Sequence, residues 1–499
     1  MADTVTFRLN DKNVTVPKGW TVMQAAKQEK VDIPHFCWHP GLSVAGVCRF
    51  CMVHVQGARK LEIACNLQAT EGMVVRTDTP EVKEAHKWGL EFHLINHPLD
   101  CPVCDQAGEC GLQDFYMEVG KYPSQMTRPK VLKPKAVDLG PRLILDTERC
   151  ILCSRCVRFE EEVTKTNALG IFDRGDRAII GTYGEEKIAH NYQENLVDIC
   201  PVGAFTSKKF RFKQRVWFLQ EKSTICPGCS TGCKIQVHAR TDRRTYYRVK
   251  PQTDEAVNGF WMCDKGRDTI THLNRESRLP QAQMMIEGKK QTVPVPQALN
   301  SLQRAIAAAG AQHTALLVSA HYTVEEYQAF FDYFCTQLGV KTIYQWRGDK
   351  EDRDAFDGIL WRGDENPNTA GLLASLSQIQ GRKVEARNEL VACVAQDPKV
   401  LIALCPEVPF TSTWFQGDLA KLEGISHVSL WTCRYEATEA AGITSWIPMK
   451  GFAEKTGHFL NYQGAKRELE EAFPSAAASA LSVVEAVQQL ALPQPSVTL

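Results

Sequence analysis

The chain has 499 residues, enough for several hydrophobic cores, and its 58 lysines and arginines balance 58 aspartates and glutamates. Three to five domains are expected, and a nucleic-acid-binding face spread over the whole protein is excluded. Nineteen cysteines raise the question of a disulfide scaffold, but such scaffolds are small and secreted, and the opening MADTVTFRLNDKNVTV has neither the apolar core of a signal peptide nor an Arg-rich transit pattern, so a reducing cytoplasm is the expected setting.

Residues 3–16 alternate apolar and polar, Pro17-Lys18-Gly19 turns the chain, and a short helix is predicted from Thr21. A first set of thiols follows: Cys37, Cys48, Cys51 and Cys65, spaced C-x10-C-x2-C-x13-C. Its loop carries Gly41 and Gly46, as expected where backbone amides turn toward sulfur. Residues 80–95 have helical apolar spacing, and HPLDCPVCDQAGECGLQD supplies a second set, His97, Cys101, Cys104 and Cys110. A histidine three residues ahead of a C-x2-C-x5-C run reads as a ligand, whereas His93 reads as structural. The third set is Cys150, Cys153, Cys156 and distant Cys200; the fourth is Cys226, Cys229, Cys233 and Cys263. Short C-x2-C and C-x3-C steps bring two or three thiolates from one loop to one inorganic core, and the remote ligand ties that loop to another element. The four sets read as a wire of iron–sulfur clusters. For the fourth, a zinc ribbon is the alternative.

The third set holds half of a code. A two-cluster ferredoxin repeats C-x2-C-x2-C-x3-C-P and exchanges the fourth cysteines between clusters. Here the interval after Cys156 lands on Glu160, and counting back from Cys200-Pro201 lands on Leu196, Gln193 and His190. The second cluster of that module is expected to be lost, with Cys200 serving the one that remains.

Beyond about residue 276 the pattern changes to α/β. TALLVSA, VKTIYQW, KVLIALCP and HVSLWTC read as buried strands, and VEEYQAFFDYF as a helix between the first two. The least charged stretch, residues 306–324, is broken by Gly310, Gln312, His313 and His321 and reads as a helix-to-strand passage, not a membrane span. Cys335, Cys393, Cys405 and Cys433 are isolated and read as buried structural thiols. After Phe473 an Ala-rich tail with one helix-like stretch and a Pro-containing end docks on a neighbour or frays.

HPLDCPVCDQAGECGLQD, RCILCSRCVRF and DICPVGAFTSK resemble the large iron–sulfur subunit of respiratory complex I, the NADH:quinone oxidoreductase, densely over about residues 1–275. The resemblance implies a multidomain α+β and α/β chain. Residues 1–79 would be a β-grasp ferredoxin holding one [2Fe–2S] cluster on Cys37, Cys48, Cys51 and Cys65. Residues 80–120 would hold a [4Fe–4S] cluster on His97, Cys101, Cys104 and Cys110, and residues 121–218, ferredoxin-like, a second on Cys150, Cys153, Cys156 and Cys200. ICPGCSTGC with Cys263-Asp264-Lys265-Gly266 is similar to the cluster domain that opens molybdopterin oxidoreductases. It implies a third [4Fe–4S] cluster in residues 219–275, on Cys226, Cys229, Cys233 and Cys263. In the related molybdenum enzymes the lysine matching Lys265 lies between cluster and pterin. FAEKTGHFLNYQGAKRELEEAF resembles a motif of the following molybdopterin domain, so residues 276–499 are expected to be a reduced version of it. That half shows no molybdenum-ligand motif and is short for a bis-pterin cage, so no molybdopterin is expected.

The implied role is electron relay with no bond-making chemistry and no catalytic residue in this chain. No nicotinamide-binding glycine fingerprint is present, so flavin and NADH sites belong to a partner subunit. The implied partners are peripheral-arm subunits of complex I and, indirectly, its membrane arm, at the cytoplasmic face of a bacterial inner membrane. Two alternatives stand beside this reading: the electron-transfer subunit of an NAD-linked hydrogenase or formate dehydrogenase, and a zinc-stabilised scaffold without redox activity.

Overall fold

The computed structural model describes residues 3–120, 126–184, 186–240, 242, 245–346, 354–379, 398–407, 424–434 and 442–492. The chain divides into two compact units, Met1–Phe218 and Leu219–Leu499.

The first unit opens as the alternation predicts. β1 (Thr4–Leu9) and β2 (Lys12–Pro17) pair antiparallel and bury Phe7, Leu9, Val14 and Val16. α1 (Val22–Gln28) begins at a capping box in which Thr21 and Gln24 satisfy each other's free amides. β3 (Met52–Val55), β4 (Glu62–Ile63) and β5 (Val74–Arg76) complete a five-stranded sheet ordered β2-β1-β5-β3-β4, with β1 and β5 parallel. Val22, Met23, Ala25 and Ala26 of α1 share one core with the β1–β2 hairpin.

α2 (Pro80–Leu94), capped by Thr79 with proline in its first turn, and α3 (Gly111–Val119) flank the second ligand set. There follow β6 (Val137–Asp138), β7 (Leu143–Leu145), α4 (Arg155–Glu162), β8 (Gly170–Phe172), β9 (Ile179–Gly181), α5 (Asn195–Ile199) and β10 (Phe205–Ser207). β10 pairs antiparallel with β7. Because β7 leads into the Cys150 loop and β10 leaves Cys200, this pairing brings the remote thiol back to its set.

The second unit starts with an antiparallel meander of β11 (Gln220–Ile225), β12 (Lys234–Arg240) and β13 (Thr245–Pro251), then the short α6 (Asp264–Asp268). Next come β14 (Gln283–Ile286), β15 (Lys289–Thr292), α7 (Val295–Ala309), β16 (Thr314–Ser319), α8 (Val324–Phe331), β17 (Thr342–Trp346), α9 (Thr369–Ser377), β18 (Val400–Leu404), β19 (His427–Thr432) and β20 (Ser445–Pro448). They build a seven-stranded sheet ordered β15-β14-β20-β19-β18-β16-β17, parallel from β20 to β17. Every residue of β16, β18 and β19 is buried, as a parallel sheet covered on both faces requires. Alternate residues feed two cores: Leu316, Val318, Val400 and Ile402 on one side, Ala315, Leu317, Leu401 and Ala403 on the other. The passage through residues 306–324 is the end of α7, a 3-10 turn and β16. A hairpin of β21 (Gly457–Leu460) and β22 (Lys466–Leu469) and the helix α10 (Val483–Ala491) end the described chain. Among the described residues no helix is long and apolar enough to cross a membrane.

Candidate metal centres

All four thiols of the first set are buried. Cys51 enters β3 and Cys65 follows β4, where the Ala64 amide donates to the Cys51 carbonyl at 2.9 Å. The thiols act on one another in two pairs, Cys37 with Cys48 and Cys51 with Cys65. Within the first pair Cys37 is held below the usual thiol range by the Cys48 thiol, with the Cys48 and Val47 amides and the Arg158 charge assisting, while Cys48 is pushed up.

The second set is arranged around the end of α2. Lys130 Nζ donates to the Leu94 and Ile95 carbonyls at 2.8 and 3.0 Å, closing the helix just before His97. Burial, then the Lys130 and Arg149 charges, push His97 down to about 4, so its imidazole is neutral; the ring bonds to the Arg149 backbone, and its buried Nδ1 has no hydrogen-bond partner. Asp100 is held by Lys135 at 2.7 Å and Arg149 at 2.9 Å. Cys101 is exposed, Cys104 half-buried, and Cys110 buried as the residue that precedes α3. A Cβ at Gly203, in the CPVG turn after Cys200, would fall 2.2 Å from Cys104 Sγ. His93 has the structural role expected of it: its Nδ1 meets the Gly89 carbonyl at 2.6 Å and its ring packs on Phe36.

In the third set, Leu152 and Ser154 take left-handed backbone conformations, φ 54° and 62°, which non-glycine residues adopt at a cost that recurs at functional loops. The turn aims the Leu152 amide at Cys150 Sγ, 3.4 Å away. Cys150, Cys153, Cys156 and Cys200 line one pocket with Ile151, Ile180, Val202, Ala204 and Phe205. Burial pushes Cys150 up to about 12 and Cys153 to about 11. Ser154 and Arg155 line the same pocket, but burial is the largest influence on these thiols, and they stay protonated unless a cation replaces their protons. The positions where a second ferredoxin cluster would have ligands also come together. His190 Nε2 lies 3.0 Å from both Glu160 carboxylate oxygens, and Thr164 and Thr166 hydroxyls donate to Glu160 Oε2 at 2.7 and 2.5 Å. Gln193 Nε2 donates to the His190 carbonyl, and Leu196 is fully buried.

The fourth set is buried throughout. The Cys226 amide donates to the Cys233 carbonyl at 2.9 Å, joining the ends of the ICPGCSTGC loop. Gly228 and Gly266 amides point at Cys226 and Cys263 sulfurs at 3.4 and 3.3 Å. A Cβ on Gly266 would sit 3.0 Å from Cys226 Sγ and 3.4 Å from Cys263 Sγ. Burial pushes Cys226 up to about 12. Lys265 leans on Trp361, 4.0 Å from the ring centre, and pairs with Glu365 at 3.5 Å.

The donor chemistry of all four sets fits iron–sulfur clusters: thiols and one neutral imidazole, amides aimed at sulfur, and glycines where a Cβ would fill the space beside it. Cys335, Cys405 and Cys433 are buried in the second unit, and Cys393 lies outside the described residues. Motif spacing did not reveal Arg149, Arg155, Arg158 and Gly203; nearness to cysteine in ERC, SRCVR and CPVG was the available signal.

Four family models match successive parts of the chain: a 2Fe-2S iron-sulfur cluster binding domain over residues 2–80, the NADH-ubiquinone oxidoreductase-G iron-sulfur binding region over 89–123, the ferredoxin-like domain of NADH-quinone oxidoreductase subunit 3 over 140–206, and the molybdopterin oxidoreductase Fe4S4 domain over 219–275. A subunit of the NADH-quinone oxidoreductase of Streptomyces coelicolor is 37% identical over 346 residues, 68% of this chain and 40% of that protein. The mitochondrial NADH dehydrogenase [ubiquinone] iron-sulfur protein 1 of Solanum tuberosum is 43% identical over 265 residues, 53% of this chain and 35% of that protein. The alignments thus span less than half the length of these relatives. A solved NAD+-reducing [NiFe]-hydrogenase chain is 28% identical, with a TM-score of 0.39 over 42% of this chain and 91% of that one. Through its 2Fe-2S, 4Fe-4S and molybdopterin-type cluster-binding parts, the chain is a relative of the large iron–sulfur subunit of NADH-quinone oxidoreductase.

Proposed function

We propose that this chain relays single electrons inside an NADH:quinone oxidoreductase of the complex I type, from a partner flavin subunit toward quinone. Four separate ligand sets along one chain, each with sulfur-directed amides or glycine space beside its thiols, carry this reading. The clusters supply one-electron acceptance and donation at fixed positions. Cys37, Cys48, Cys51 and Cys65 hold the [2Fe–2S] cluster, their pairing matching two irons. His97, Cys101, Cys104 and Cys110 hold one [4Fe–4S] cluster, Cys150, Cys153, Cys156 and Cys200 a second, and Cys226, Cys229, Cys233 and Cys263 a third. The protein's residues bind these groups, exclude water and set the local charge. The segments 1–79, 80–120, 121–218, 219–275 and 276–499 act as successive modules. The chain works at the cytoplasmic face of a bacterial inner membrane, attached through other complex I subunits and without molybdopterin. The named relatives are a subunit of an NADH-quinone oxidoreductase and an iron-sulfur protein of an NADH dehydrogenase [ubiquinone], which favours this reading over the hydrogenase and formate dehydrogenase ones.

Metal analysis of the anaerobically purified assembly tests the count. One [2Fe–2S] and three [4Fe–4S] clusters require about fourteen irons per chain, with matching sulfide. About ten irons with about one zinc would make the fourth set a zinc site, and a colourless protein holding zinc alone would remove the relay altogether.

A further inference from the structure

α4 carries Cys156 of the third ligand set, and the same helix reaches the first set through two arginines. Arg155 Nη2 donates to the Trp38 carbonyl at 2.6 Å, and its Nη1 donates to the Ile199 carbonyl at 3.0 Å. Trp38 follows Cys37, and Ile199 precedes Cys200. One guanidinium therefore holds a peptide beside a first-set ligand and a peptide beside a third-set ligand. Arg158 donates from Nη2 to the Cys37 carbonyl at 2.5 Å and from Nη1 to the Ser43 carbonyl. One turn on, Glu162 accepts the Ser43 amide at 2.8 Å. Residues 155, 158 and 162 lie on one face of α4, and all three clasp the loop between Cys37 and Cys48.

We propose that Arg155 is a positioning residue shared by the first and third ligand sets: it fixes their separation and supplies a positive charge that raises the potentials of both clusters together. This rests on the relay reading above. A planar guanidinium suits the task because it can hold two carbonyls in one rigid fork and does not lose its charge. Arg155 and Arg158 are the two guanidiniums that reach this junction, through the carbonyls they hold. Net charge beside a cluster and hydrogen bonding around it are the protein's means of setting potential.

The test is a redox titration of the intact assembly, followed by paramagnetic resonance, for the native chain, Arg155→Met and Arg155→Lys. In Arg155→Met both the first-set and third-set midpoint potentials should fall, with the His97-set potential unchanged. Arg155→Lys, which keeps the charge, should restore most of both shifts. Joint loss of the two clusters in Arg155→Met, with the His97-set cluster retained, would also support a shared positioning role. A shift or loss confined to one cluster, no shift, or an Arg155→Lys shift as large as that of Arg155→Met would overturn the proposal while leaving the relay standing. Absence of all paramagnetic clusters from the native assembly would overturn the relay itself.

Discussion

At His97 the charge and orientation of the ring bear on the proposed ligation. Its imidazole is neutral, one nitrogen is buried without a partner, and the ring is already tied to the Arg149 backbone, the arrangement by which proteins orient histidine toward a metal. His97→Cys should keep a cluster and lower its potential, because a thiolate adds a negative charge. His97→Ala should weaken or lose that cluster. Potentiometric titration of both variants decides this, and an unchanged spectrum and potential in His97→Ala would withdraw the ligand. The residue was legible because its spacing to Cys101 is local. Arg155 was not, since its bond to Trp38 spans 117 positions and an arginine beside a cysteine carries no address for a carbonyl so far away.

Elements were legible where their periodicity is local. The β1–β2 hairpin, α1 with its Thr21 cap and the buried strands β16, β18 and β19 all follow from alternation, capping or unbroken apolar runs. The pairing of β7 with β10 has no such signature: each strand has three residues, too few for a pattern. Yet this pairing positions Cys200 and the turn behind it. That turn presses Gly203 on Cys104, a contact between the third ligand loop and the second. Gly203→Ala adds a methyl that neither loop has room for. The variant should lose iron from the second set first, by about four atoms per chain, and a full complement with an unaltered His97-set spectrum would show that the loops part easily.

Across the whole molecule, the two units differ in what holds their polar interiors. Both units bury thiols and charges, but the second gathers its buried charges at the carboxyl ends of its parallel strands. Lys455 bonds Glu326 at 2.8 Å and Glu407 at 2.5 Å, and Arg278 bonds Glu454 at 2.6 Å. Only the Ala-Glu-Lys of FAEK hinted at this, because the partners arrive from distant parts of the chain. His321 lies among these groups, pushed down to about 3 by burial and then by Lys455. An imidazole with a lowered folded value takes up its proton first in the unfolded chain. Its contribution to stability is complete above about pH 6.5 and is lost as pH falls from there toward 3. The urea midpoint of the full chain, read by tryptophan fluorescence between pH 7 and 5, should therefore carry a falling component from His321, set against a rising one from Glu407, which burial pushes up to about 7; His321→Leu should remove the falling component. An identical slope in the variant would mean that His321 is not held neutral.

The Glu160–His190 pair has a consequence for anyone who would build a second cluster into this module. Such a cluster would need cysteines at 160, 190, 193 and 196. Cysteine at 160 alone takes the carboxylate away from His190, Thr164 and Thr166, at about 1–3 kcal/mol for a polar group left buried without a partner, and yields one thiol where a cluster needs four. Cysteine at 190 alone leaves the carboxylate with the two threonine hydroxyls but without its imidazole. Stepwise replacement therefore costs stability before any cluster can repay it, and the four thiols have to be installed together.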